Sequence, residues 1–151
     1  MSYNVAPILF DSDISAVTAT ASTELGSSRQ IGDKSYVYIY NGGATAIGTF
    51  RPVTILTAAV GMNTCSVSTT AGHMIRGFST VSIPAANFGW ILTKGTTTIS
   101  ISSNQSSLDL GAQQVGLDGL VKTLTTGGYP IGQLNTVVVS GNTGLLWVNL
   151  P

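Results

Sequence analysis

Charge is scarce in this chain. Aspartate, glutamate, lysine and arginine make up 8% of it, against about 25% in an ordinary soluble domain. Six acidic residues balance six basic ones, so little electrostatic repulsion holds copies apart. The basic residues Arg29, Lys34, Arg51, Arg76, Lys94 and Lys122 are dispersed along the sequence. That dispersal removes the basic footprint with which a protein grips phosphates, and no nucleic acid is expected as a partner. A single cysteine, Cys65, excludes an internal disulfide and suits a reducing cytoplasm. Long apolar runs are missing too: Ala58 to Met62 and Val137 to Val139 fall far short of the about 20 residues that span a bilayer. No basic region leads into an apolar stretch at the N-terminus, so neither a membrane nor a secretory route is expected.

The residues that carry chemistry are equally few. His73 is the only histidine, which rules out a two-histidine metal site and leaves any catalytic triad to be built on one imidazole. Its setting, Ala71-Gly72-His73-Met74, reads as a turn entering a strand, with no nucleophile motif beside it. An enzyme acting through His73 is therefore the remotest reading. Cys65 has no neighbouring lysine, arginine or histidine in Asn63-Thr64-Cys65-Ser66-Val67 and is expected to serve as a small buried hydrophobe. Asp11-Ser12-Asp13 lacks the remaining ligands of a calcium loop, and Gly42-Gly43 lacks the lysine and hydroxyl residue of a phosphate loop. No catalytic, cofactor-binding or metal-binding residue is expected, and no cofactor.

What fills the sequence is threonine, serine, glycine, valine and isoleucine, with a mean hydropathy of +0.35. A chain of 151 residues fits one domain that buries roughly two thirds of its unfolded surface. Period-two and β-branched patterns recur while helical periodicity does not. In Ser35-Tyr36-Val37-Tyr38-Ile39-Tyr40 the tyrosines share one face and Val37 and Ile39 the other. Asn41-Gly42-Gly43 should end that strand in a turn needing positive φ. Further strands are expected at residues 51–56, 65–69, 74–83, 89–93, 97–102, 119–124, 136–139 and 145–150, spaced by glycine, asparagine and proline. Residues 108–116 read as a loop. The fold class expected is all-β, a small β-barrel or β-sandwich with an extended N-terminal arm. Residues 1–25 form that arm and residues 26–151 a single β domain; a short helix around Ile14 to Ala19 is the weaker alternative for part of the arm.

Two groups of residues are expected to make contacts with other proteins. Val5, Ile8, Leu9 and Phe10 gather in the arm, where Pro7 disfavours helix and apolar side chains are costly to leave in water. Tyr36, Tyr38 and Tyr40 present aromatic area with polar tips, suited to a packed sheet or a subunit contact. Phe88 and Trp90, two residues apart, are expected together in the core.

Three stretches resemble a known family. Glu24-Leu25-Gly26-Ser27 followed by Gly32-Asp33-Lys34-Ser35-Tyr36-Val37-Tyr38-Ile39-Tyr40-Asn41-Gly42-Gly43, then Ile83-Pro84-Ala85-Ala86-Asn87-Phe88-Gly89-Trp90-Ile91-Leu92-Thr93-Lys94-Gly95, and finally Ile131-Gly132-Gln133-Leu134 before a valine-rich end are similar to small virion structural proteins of tailed bacteriophages. The resemblance covers residues 24–150, with residues 51–73 departing from it by their threonine and methionine content. It implies a head decoration, or cement, protein: a non-enzymatic β-barrel made in the host cytoplasm and carried on the head surface of the virion. Its implied partners are the major capsid protein and further copies of itself, most often as a trimer. The alternative function is a receptor- or glycan-binding module of a phage tail or fibre.

Overall fold

The computed structural model describes residues 13–56, 63–67, 75–100, 112–115, 121–123, 132–134 and 143–150. These contain ten strands and no helix: β1 (Ser28–Ile31), β2 (Lys34–Asn41), β3 (Pro52–Ile55), β4 (Thr64–Val67), β5 (Ile75–Ser79), β6 (Phe88–Ser100), β7 (Ala112–Val115), β8 (Val121–Thr123), β9 (Gly132–Leu134) and β10 (Thr143–Asn149). Five of them close on themselves. β2 pairs with β4 in parallel, and the circuit continues antiparallel through β3, β5 and β6 back to β2. Closure gives each of these five strands a partner on both sides, while β1 and β8 are the outer strands of the described sheet. The architecture is thus all-β and a small barrel, extended by a run of further strands, β6-β10-β9-β7-β8.

The alternation read in β2 explains how the molecule is layered. Val37 and Ile39 point into the barrel, where they meet Val53, Cys65 and Ile91 from the other staves, together with Ile47 and Ile83. Tyr36 and Tyr38 point outward, and they are covered as well. With Trp90 and Leu92 of β6, Ile75 and Phe78 of β5, and Ile99, Leu146 and Val148 of the extension, they form a second core outside the barrel wall. The β2–β6 wall is therefore apolar on both faces because it separates two cores. Burial of each large side chain there is worth about 1.5–3 kcal/mol.

β6 joins the two layers. Its first half pairs with β2, from Tyr40↔Phe88 to Ser35↔Lys94, and its second half with β10, from Asn149↔Lys94 to Thr143↔Ser100. Two strands are expected here, at 89–93 and 97–102, with residues 94–96 between them. The chain instead runs on as one strand of 13 residues, bent where Gly95 takes φ +109 and where Thr93 bulges out of the β2 register. A β-carbon at residue 95 would also stand 2.8 Å from Lys34 Cγ, so glycine is required for the bend, not for a turn.

Other expectations need correction. Residues 108–116 are not wholly a loop, since β7 occupies Ala112–Val115 and pairs with β8 and β9. β1 was missed because Ser28–Ile31 is short and polar, yet it forms a hairpin with β2 across Gly32-Asp33, where Gly32 has φ +61. β2 does end at Asn41, but Gly42 and Gly43 do not have positive φ. They are glycine for lack of room: a β-carbon at residue 42 would come 2.5 Å from Thr64 Cγ2 and one at residue 43 would come 2.9 Å from Ser66 Cβ. The strand expected at 136–139 lies outside the described residues.

The described part of the N-terminal arm, residues 13–25, contains no helix and lies along its own barrel. Thr18 and Phe88 form an antiparallel bridge, with N–H···O distances of 3.1 and 2.8 Å. Ile14 packs against the outer core and Val17 against the inner one.

Candidate functional site

Of the residues singled out in the sequence, Val5, Ile8, Leu9, Phe10 and His73 lie outside the described residues. The tyrosines are placed clearly. Tyr36 and Tyr38 are 5% and 1% exposed, so within this chain their rings are covered and offer no area to a partner; Tyr40 is half-buried. Their packing follows from the register. Tyr38 faces Trp90, and Tyr40 faces Phe88, directly across β2 and β6. The ring centroids stand 5.1 and 4.9 Å apart in tilted pairs, and Tyr38 also stacks on Phe88 at 6.1 Å. Phe88 and Trp90 share the outer core, the association expected from their spacing.

The Tyr38 hydroxyl fastens the N-terminal segment over this ladder. It accepts hydrogen bonds from Ser22 N and Ser22 Oγ, both at 3.1 Å, and lies 3.4 Å from Thr18 Oγ1. Burial pushes the phenol's pKa up, but the bonds from Ser22 and Thr18 outweigh it and the net shift is downward. Tyr38→Phe keeps the ring contacts and removes the fastening. It should cost about 1 kcal/mol and accelerate amide hydrogen exchange at Thr18 and Ser22 while exchange in β2 and β6 is unchanged. Equal acceleration in the strands would show that the hydroxyl supports the barrel and not the segment alone.

Cys65 is buried in the barrel with Arg76 nearby, and burial pushes its thiol up to about 12 in spite of that cation. The thiol is neutral at physiological pH and closed to solvent. The linkage has a definite sign. The unfolded thiol ionises near 9.0 while the folded one resists to about 12, so stability is full below pH 9 and falls as pH rises through that interval. Native protein should leave a thiol reagent unreacted at pH 8, and Cys65→Ala should lose less stability than wild type between pH 9 and 11. Rapid labelling of native protein would refute the burial. Among the described residues no three His, Cys, Asp or Glu side chains gather in one place. Asp13 is exposed, and its Oδ1 accepts a hydrogen bond from Ser15 N at 3.0 Å, so one of the two acids weighed as a calcium loop closes a local turn.

One surface was not singled out in the sequence. β10 alternates strictly: Leu146 and Val148 point into the outer core, while Leu145 and Trp147 are 41% and 39% exposed. The run Leu145-Leu146-Trp147-Val148 is continuously apolar, so its pattern gives no sign of which face is buried. Trp147 stands opposite Thr96, Leu145 opposite Thr98 and Asn149 opposite Lys94. With Leu25 and Ile31, 38% and 42% exposed, these are the large apolar side chains that the described structure leaves in water. No protein-family model, no curated protein and no solved structure matches this chain.

Proposed function

We propose that this chain is a non-enzymatic decoration, or cement, protein of a tailed-phage head, which binds the outer surface of the shell through contacts with the major capsid protein and with copies of itself. The observation that carries the reading is the combination of 8% charged residues with zero net charge and a barrel that leaves Leu25 and Ile31 exposed. Such a surface resists association weakly and gains from being covered. The resemblance of residues 24–43 and 83–95 to small virion proteins supplies the kind of partner, and the trimer is favoured by that resemblance alone.

The test is a count and a location. Purified particles should contain the protein in many copies, distributed over the head when imaged, and the isolated protein should sediment as an oligomer at micromolar concentration. Absence from the particle would overturn the reading. A few copies at the tail would replace it by the receptor- or glycan-binding alternative.

A further inference from the structure

The outer face of β10 has a composition that points to a ligand. Antiparallel partners share a face of the sheet, so Trp147 and Thr96 stand side by side, with Leu145 and Thr98 on one flank and Asn149 and Lys94 on the other. Trp147 is 39% exposed, Lys94 and Asn149 are exposed, and Thr96 and Thr98 are half-buried. The centre of the face is therefore an indole, and its surroundings are mostly hydroxyl and amide groups.

We propose that this face is a saccharide-binding platform, with the Trp147 indole taking the apolar C–H face of a hexopyranose while Thr96, Thr98 and Asn149 exchange hydrogen bonds with its hydroxyl groups. A pyranose ring is amphipathic in the required way, apolar across its plane and rich in hydroxyls at its rim, and tryptophan offers a rigid apolar plane with a polar edge. The charge of the face narrows the class. On β6 and β10 its one charged side chain is Lys94, with no carboxylate, which fits a neutral or singly acidic sugar.

Trp147 and its neighbours on β6 and β10 cover about 20 Å by about 10 Å, the extent of a short run of sugar rings. The same sheet continues beyond β10 through β9, β7 and β8, so a second copy is the competing occupant, and the Trp147 variants separate the two. The inference does not depend on where the protein sits in a particle, so failure of head decoration leaves it standing.

The experiment uses the whole chain in native gels containing soluble polysaccharides: hydroxyethylcellulose, laminarin, xylan, dextran, galactomannan and, as the acidic arm, polygalacturonate. Wild-type protein should be retarded by at least one neutral polymer. Trp147→Ala should weaken that retardation by about tenfold or more, Trp147→Tyr should retain part of it, and the thermal midpoint should be unchanged in both. A Trp90→Phe background leaves Trp147 as the only tryptophan. Among the described residues the Trp90 indole N–H has no hydrogen-bond partner to lose, and Trp147 emission should shift on adding the retarding polymer. Retardation by none of the polymers would overturn the proposal, as would retardation that survives Trp147→Ala. So would a Trp147→Ala protein that changes only its oligomeric state, since a second copy would then be the occupant.

Discussion

Replacing Asn41 by aspartate is expected to cost about 4 kcal/mol of folding stability at pH 7. Asn41 is completely buried at the end of β2, and its side chain ties two separate stretches of backbone, residues 43–45 and 83–84, to that strand. Nδ2 donates to the carbonyls of Thr45, Ile83 and Pro84 at 3.0, 2.9 and 3.1 Å, and Oδ1 accepts from Gly43 N at 3.1 Å. Its own backbone bonds Asn87 and Ala86. An aspartate would turn an acceptor toward three carbonyl oxygens and bury a charge without a cation. Burial would raise its folded-state pKa above about 4, so the deficit should grow as pH rises from 4 to 7 and shrink on acidification. Asn41→Ala, which leaves the same groups unpaired without a charge, should lose about 2–3 kcal/mol with no such pH dependence. Urea denaturation of both variants at pH 4 and pH 7 checks this. An aspartate variant within about 1 kcal/mol of wild type at pH 7 would show that the loops at residues 43–47 and 83–87 do not depend on this side chain.

Phe78→Ala should be similarly damaging for a different reason. Phe78 is fully buried in the outer core and faces Leu92 where β5 meets β6, a junction made by only two residue pairs, Phe78↔Leu92 and Ser79↔Ile91. Truncation removes its transfer free energy and leaves a cavity beside one of the two seams of the barrel that hold only two residue pairs, at a cost of about 3–5 kcal/mol. For a domain of this size that lowers the thermal midpoint by roughly 10 °C. Phe78→Leu should recover most of the loss. Calorimetry showing that alanine and leucine cost the same would mean that the site collapses around the change.

The strands were legible where alternation or β-branching was strong. Residues 35–40, 51–56 and 145–150 read as strands and contain β2, β3 and β10 to within a residue or two. Which face met water was less legible. A tyrosine stripe opposite Val37 and Ile39 is the pattern of a half-solvated strand, but the extension and the N-terminal segment cover it, and that cover comes from residues distant in sequence. Glycine was ambiguous in the same way. Its presence at residues 42, 43 and 95 was read as turn chemistry, whereas crowding at 42 and 43 and a bend at 95 are the reasons for it. The Trp147 face was illegible because its strand is apolar on both sides, and only the register with β6 separates the buried residues from the exposed ones.

The double duty of β6 has a consequence for biosynthesis. Chains emerge from the ribosome N-terminus first, and β2 (Lys34–Asn41) leaves long before its main partner, Phe88–Lys94. During that interval Tyr36 and Tyr38 on one face and Val37 and Ile39 on the other have no wall to pack against. The barrel closes only when β6 arrives, and the outer core stays open until β10, at the C-terminal end, pairs with the second half of the same strand. Pairings so distant in sequence fold slowly, so the nascent chain displays its aromatic face until β6 and β10 have both emerged, and that is the period in which a holding chaperone would find it.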